Sequence, residues 1–237
     1  MNKPTLYLIP SPLGNTPPSA VLPSDHIKIV GTLQDFVVEE FRTARRYLSA
    51  LGLKVGSLKF ELLNEHTSPQ EVDGLLAPLR AGRSVGMISG AGLPAVADPG
   101  AELVALAHRN GFEVVPLVGP SSLMLALMAS GLNGQKFAFQ GYLPVKPVLR
   151  DKKIRELEKL SAKEHQTQLF IETPYRNEAL FRALLNCCLP GTRLTVAVNL
   201  TMPDALIRTR TIGEWKKFKP GFDESYKKKP CVFLILA

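Results

Sequence analysis

The stretch MISGAGLPAVADPG, residues 87–100, closes a short apolar run and then crowds three glycines and two prolines together. The run VGMIS at 85–89 reads as a buried strand, and residues 99–110 read as a helix by apolar spacing. The turn between them combines backbone freedom with backbone stiffness. Strand, Gly/Pro turn and helix in that order make a βα unit, and a turn of this kind approaches a ligand closely.

The same rhythm runs outward in both directions. Towards the amino end, 5–9 (TLYLI), 35–40 (DFVVEE) and 58–63 (SLKFEL) read as strands, and 113–117 (EVVPL) follows the helix at 99–110. Residues 41–51 and 68–81 read as helices, the second opened by Ser68 as N-cap with Pro69 next. Residues 19–33 stay ambiguous, because Pro23 breaks any long helix there. Towards the carboxyl end, helices are expected at 121–130, 149–163 and 175–188. Strands are expected at 137–141, 166–172, 193–200 and 230–237. Alternating β and α segments define an α/β fold with largely parallel sheets. The boundary falls near PLVGP, giving an N-terminal α/β domain at 1–117 and a C-terminal α/β domain at 118–237.

The turn at 89–94 contains Gly-x-Gly-x-x-Ala (Gly90, Gly92, Ala95), the pattern of a dinucleotide site. Pro94 interrupts the segment where that site needs a helix, and the next strand, which starts at Glu113, ends without a carboxylate. A standard dinucleotide site is therefore excluded, and no GxxxxGK[ST] signals a P-loop. Two more turns, PSPLGN at 10–15 and VGPSS at 118–122, also follow strands. All three lie at strand carboxyl ends, where open α/β sheets bind ligands. They offer backbone N–H and C=O groups and small hydroxyls. A nucleoside carrying a zwitterionic amino-acid portion suits them; plain turn punctuation is the alternative.

Composition narrows the partners. With 45% hydrophobic residues the chain can build a packed core. The start carries no signal-peptide pattern, and no apolar run has the length of a membrane span. Cys187 and Cys188 are adjacent and Cys231 is remote, which fits neither a disulfide framework nor a zinc site and points to a reducing cytoplasm. The histidines (26, 66, 108, 165) show no metal-ligand spacing, so no metal is expected. The net charge of +8 is clustered at 41–47, 146–155 and 216–230. Such clusters attract polyanions, nucleic acid first among them, or else simply form a solvated basic surface.

LYLIPSPLGN, EEFRTARRYL, MISGAGLPAVADPG, EVVPLVGPSSLMLALMASGL, FAFQGYLP and LFIETPYR occur in an order that resembles the tetrapyrrole (corrin/porphyrin) methylase superfamily. The branch most similar is that of the small-subunit ribosomal RNA (cytidine-2′-O)-methyltransferases. The resemblance covers residues 5 to 237. It implies S-adenosylmethionine (SAM) in a cleft between two α/β domains, a ribosomal RNA or small-subunit substrate, and a homodimer. It implies cofactor contacts at Pro12 and Leu13, at Ser89, Ala91, Gly92, Leu93 and Val96, and at Ser121 and Ser122. From the second domain it implies contacts at Glu172, Thr173, Leu200 and Thr201.

The chain departs from that branch in places. The branch has Ser-Asp-Ala-Gly-Thr-Pro where this sequence has Ser89-Gly90-Ala91-Gly92-Leu93-Pro94. It has Arg-Glu-Leu-Thr-Lys where this sequence runs from Val198 to Met202. The cofactor site is kept and the acceptor site is altered. A ribose hydroxyl is a weak nucleophile that benefits from a base or a cation. Glu39 and Arg42 are the catalytic candidates, with Glu40 and His66 also at strand ends. Asp98 is expected to cap the helix that follows it. Lys146, Arg150 and the lysines at 216–229 are candidate phosphate contacts. Met124, Met128 and Trp215 are expected to pack in the core. Methylation of a small tetrapyrrole, or SAM/RNA binding without catalysis, are the alternative functions.

Overall fold

The computed structural model describes residues 3–218, 226 and 228–237. The chain divides into two compact units, Met1–Ser121 and Ser122–Ala237.

In the first unit, strands β1 (Thr5–Ile9), β2 (Asp35–Val38), β3 (Lys59–Leu62), β4 (Val85–Ile88) and β5 (Glu113–Pro116) form one sheet in the order β3-β2-β4-β1-β5. Every pairing is parallel. Helices α1 (Ser24–Gly31), α2 (Phe41–Ala50), α3 (Pro69–Gly74), α4 (Ala77–Arg80) and α5 (Ala101–Arg109) make the crossovers. The central strands are buried on both faces, as parallel strands between helices must be. At Gly86 a Cβ would lie 2.6 Å from the Ile9 side chain and 3.0 Å from the Phe36 ring. Neighbouring strands therefore fill the space a larger residue would need.

As expected, no long helix runs through 19–33: a short turn at Pro18–Ala20 precedes Pro23 and α1 begins just after it, with Pro23 at the N-cap, where its missing N–H costs nothing. One detail differs from the sequence reading. The single helix expected over 68–81 is two. A Ser68–Glu71 capping box starts α3, and α4 restarts beyond Gly74 with Pro78 in its first turn.

The second unit contains α6 (Ser122–Ser130), β6 (Phe137–Tyr142), α7 (Pro147–Glu164), β7 (Thr167–Glu172), α8 (Asn177–Cys187), β8 (Arg193–Val198), β9 (Leu206–Thr211), α9 (Ile212–Lys217) and β10 (Cys231–Leu236). Its sheet has the order β6-β7-β10-β8-β9. Here the expectation of largely parallel pairing is corrected. Only β6 and β7 pair in parallel; β10 runs antiparallel to β7 and β8, and β9 antiparallel to β8. The reason is a strand and a helix absent from the sequence reading. β9 turns straight back along β8, and α9 then returns the chain so that β10 enters between β7 and β8.

Trp215 is buried as expected, with its indole N–H donating to the Leu194 carbonyl at 2.9 Å. Met124 and Met128 are not core residues: they are 44% and 77% exposed. α6 is apolar on every side and turns Leu123, Ala126 and Leu127 inward, which leaves the methionines on its open face.

Candidate active site

The parallel order of the first sheet puts the carboxyl ends of β1, β2, β4 and β5 along one edge. There the three turns meet. The Ser11 N–H donates to the Gly92 carbonyl at 2.9 Å, and the Gly92 N–H donates back to the Ser11 carbonyl at 3.1 Å. The Ser11 hydroxyl donates to the Ser89 carbonyl at 3.0 Å. From α2, the Tyr47 hydroxyl donates to the Pro10 carbonyl at 2.7 Å. Gly92 has φ +82°, and a Cβ there would approach Leu13 Cδ2 to 3.1 Å and the Pro120 carbonyl oxygen to 3.5 Å. At Gly119 a Cβ would fall 2.2 Å from Pro10 Cβ. Glycine at these two positions is what lets the turns touch.

Around this knot Pro12, Leu13 and Leu93 are half-buried, Ala91 and Val96 are exposed, and Ser121 and Ser122 are half-buried at the start of α6. Ser89 is buried, and its hydroxyl meets the Asp98 carboxylate in a short hydrogen bond while accepting from the Ala91 N–H at 3.2 Å. Asp98 therefore does not cap α5. Gly100, at φ +132°, holds the N-cap position, and Asp98 turns inward to tie the loop instead. Ala95 and Ala97 both take left-handed backbone angles, φ +62° and +60°, an uncommon cost for non-glycine residues that clusters at functional loops.

Glu39 lies just past the end of β2, and its carboxylate accepts from the Gly90 N–H at 3.1 Å. A Cβ on residue 90 would sit 2.7 Å from Glu39 Oε2. The missing side chain at 90 is thus matched by a carboxylate delivered from the neighbouring strand. Burial raises the Glu39 carboxyl above its ordinary value; the Asp98 charge adds to this and the Gly90 N–H opposes it. Asp98 is likewise raised by burial, with the Ser89 hydroxyl pulling the other way.

Glu40 is exposed and caps α2. It accepts from the N–H groups of Arg42 and Thr43 at 2.8 and 2.7 Å, and the Thr43 hydroxyl is the main cause holding it below the usual range. Arg42 is exposed in the first turn of α2. His66 is exposed beside Glu65.

In the second unit β6, β7 and β8 point the same way, with antiparallel β10 between the last two. Cys231 of β10 lies in register with both Glu172 and Val198, which places the Glu172–Thr173 and Leu200–Thr201 segments on one edge. Glu172 is buried and fully engaged. Its Oε1 accepts from Arg176 Nη2 and Nε at 2.7 and 2.9 Å, and from the Thr173 N–H at 2.7 Å. Leu200 is buried. Thr201 has φ +71°, an outlier for a β-branched residue, and its buried Oγ1 has no hydrogen-bond partner. Thr16, in the first turn of the other unit, has an orphaned buried hydroxyl too. Buried hydroxyls are seldom left unpaired, so each keeps an unused hydrogen-bonding position. The sequence reading passed over Thr16, because nothing in its neighbours signals the burial.

Lys146 is exposed, and Arg150 is mostly buried and paired with Asp151. Of the basic cluster at 216–230, Lys219 and Lys227 lie outside the described residues, while Lys216 and Lys217 are exposed on α9. Among the described residues no helix is long and apolar enough to cross a membrane, and no group of three His, Cys, Asp or Glu side chains is placed to hold a metal.

Comparison with known proteins fits this geometry. The family model Tetrapyrrole (Corrin/Porphyrin) Methylases matches residues 39–216. The Ribosomal RNA small subunit methyltransferase I of Vibrio cholerae serotype O1 is 34% identical over 232 residues, spanning 98% of this chain and 77% of that protein. The protein of the same name from Mesorhizobium japonicum is 32% identical, spanning 89% of this chain and 68% of that protein. Among solved structures, the methyltransferase CobJ superposes with a TM-score of 0.63 at 17% identity, covering 98% of this chain and 92% of that one. The cobalt precorrin-4 methyltransferase CbiF also gives 0.63 at 17% identity, covering 98% and 94%; at that identity the likeness speaks to fold alone. The chain belongs to the tetrapyrrole (corrin/porphyrin) methylase family and is a SAM-dependent methyltransferase.

Proposed function

We propose that this chain transfers the methyl group of SAM to a ribose 2′-oxygen in small-subunit ribosomal RNA. The observation that carries the reading is the knot of turns at Ser11, Ser89 and Gly92, tied by backbone pairs and by Asp98. The residues present fit the cofactor. Half-buried Pro12, Leu13 and Leu93 give an apolar bed, Ala91 and Gly92 allow close backbone approach, and the Thr16 and Thr201 hydroxyls lack partners. Contacts at Val96, Ser121 and Ser122, and at Glu172, Thr173, Leu200 and Thr201 of the second unit, belong to the same proposal.

When bound, SAM supplies an activated methyl group, so the protein's task is to position the acceptor and exclude water. Glu39 is the proposed proton acceptor for the ribose hydroxyl: its raised pKa makes it a better base than an ordinary carboxylate. Arg42, exposed nearby in the chain, is proposed to counter negative charge on the RNA. The names of the relatives and the net charge of +8 support an RNA substrate. Work in the cytoplasm as a homodimer is part of the proposal, and sedimentation velocity checks the second half of it.

A tetrapyrrole acceptor is the second reading, favoured by the description of the family whose model matches residues 39–216. Incubation with methyl-labelled SAM and a mixture of a tetrapyrrole and small subunits from a strain lacking the enzyme separates the two. Label in a ribose of small-subunit RNA supports the first reading. Label only in a tetrapyrrole supports the second.

A further inference from the structure

One rim of the second unit carries chemistry that the cofactor site does not use. The parallel pair β6 and β7 ends there, with Tyr142 in register with Ile171. At those ends the chain exposes Tyr142, the last residue of β6, by 57% and Tyr175, just beyond β7, by 85%, a large outlay for aromatic rings on a well-packed unit. Both following helices, α7 and α8, start at this rim and direct their amino ends towards it. Lys146 stands exposed at the N-cap of α7. The acids of the region are already engaged: Asp151 by Arg150, Glu172 by Arg176 and Glu178 by Arg182. Among the described residues Lys146 has no acidic partner.

Open aromatic faces beside an unpaired lysine and two positive helix ends match one kind of partner. A single-stranded nucleic acid offers bases to stack and phosphates to neutralise. A duplex hides its bases, and an acidic peptide brings charge to the lysine and helix ends but no succession of flat rings to stack on the two tyrosines. The rim also continues into the Glu172–Thr173 segment, on the edge shared with Leu200 and Thr201.

We propose that an unpaired RNA strand docks on this rim, its bases stacked on Tyr142 and Tyr175 and its phosphates held by Lys146 and the amino ends of α7 and α8. The identity of the natural strand rests on the ribosomal-RNA reading above; the docking itself does not.

The test uses the full chain and a fluorescein-labelled mixed-sequence oligoribonucleotide of about 12 nucleotides, single-stranded or annealed to its complement, read by anisotropy across a salt series. The single strand is expected to bind more tightly than the duplex. Tyr175→Ala weakens single-strand binding roughly 5- to 50-fold, and Tyr142→Ala does so within the same range. Tyr175→Phe, which keeps the ring, binds like the parent. Lys146→Gln lowers the slope of log affinity against log salt by about 0.7. Unchanged binding by both alanine variants overturns the proposal, as does a duplex that binds as tightly as the strand. So does sedimentation in which Tyr175→Ala splits a dimer, since a second copy would then cover the rim. If the parent methylates small-subunit RNA and both tyrosine variants bind and transfer unimpaired, the docking site alone fails. If the parent never labels RNA yet loses the oligonucleotide with Tyr175→Ala, the rim stands and the substrate reading fails.

Discussion

The two sheets bring their strand-end turns to one edge by different routes. In the first unit every strand is parallel, so each strand ends on the same side and the turns after β1, β4 and β5 meet without further device. In the second unit antiparallel β9 and β10 interleave with β6, β7 and β8. Three strand ends still share one edge, but they are spread out: with strands about 5 Å apart, Glu172 and Val198 stand roughly 10 Å from each other across β10. The parallel sheet concentrates its turns into a hydrogen-bonded knot. The mixed sheet lays its turns along a rim, secured by local pairs such as Arg176–Glu172 and Lys229–Asp204. The first arrangement suits the compact cofactor proposed above, and the second the extended strand proposed for the rim.

The largest effect that sharpens this contrast is in the second core. Trp215→Ala removes a buried ring packed edge-on to Phe181, 5.2 Å between centroids, and to Phe218 at 5.8 Å. It is expected to cost about 3–5 kcal/mol, read by denaturant melts followed by circular dichroism. In the first unit Gly119→Ala drives a methyl against Pro10 and costs about 1–3 kcal/mol in the same melt, because the knot has no slack. A neutral Gly119→Ala would break the contrast.

A smaller, pH-dependent effect is expected at Glu39. Its carboxyl is raised in the folded chain, so the folded state holds the proton more tightly than the unfolded one. Glu39 therefore favours folding at low pH, and that contribution is lost as pH rises from the ordinary value of 4.5 through the raised one. Asp98→Asn removes the like charge, which after burial is the next largest influence on Glu39, so the Glu39 carboxyl carbon titrates lower by NMR and the pH slope flattens. An unmoved titration would show that the two carboxylates do not sense each other. Least of all, Lys28→Ala breaks an ion pair with Asp25 whose side chains are 77% and 80% exposed, and changes stability by under about 0.5 kcal/mol.

Much of the first unit is legible in sequence because its signals are local. Short apolar runs such as VGMI make β4, the Ser68-Pro69 start opens α3, and Gly/Pro turns follow β1, β4 and β5. What fails is also local in cause. β9 hides because LIRTRT alternates arginines with small polar residues, and those arginines are at home only because Arg208 and Arg210 stack on the Phe218 ring at 4.6 and 4.3 Å. The site is less legible than the fold. Glu39 reaches Gly90 across 51 residues of sequence, and Asp98 turns towards Ser89 rather than towards α5. The methionines of α6 look like core because apolar spacing does not say which neighbour is missing.

The most direct test of the account is isothermal titration of SAM into the full chain and into Gly92→Val. The valine would have to adopt φ +82° and press on Leu13, which pulls the Ser11–Gly92 pairing apart. The account predicts one SAM site in the parent and at least about a tenfold loss in the folded variant. A folded parent that gives no SAM heat, or a variant that binds as tightly as the parent, would contradict it.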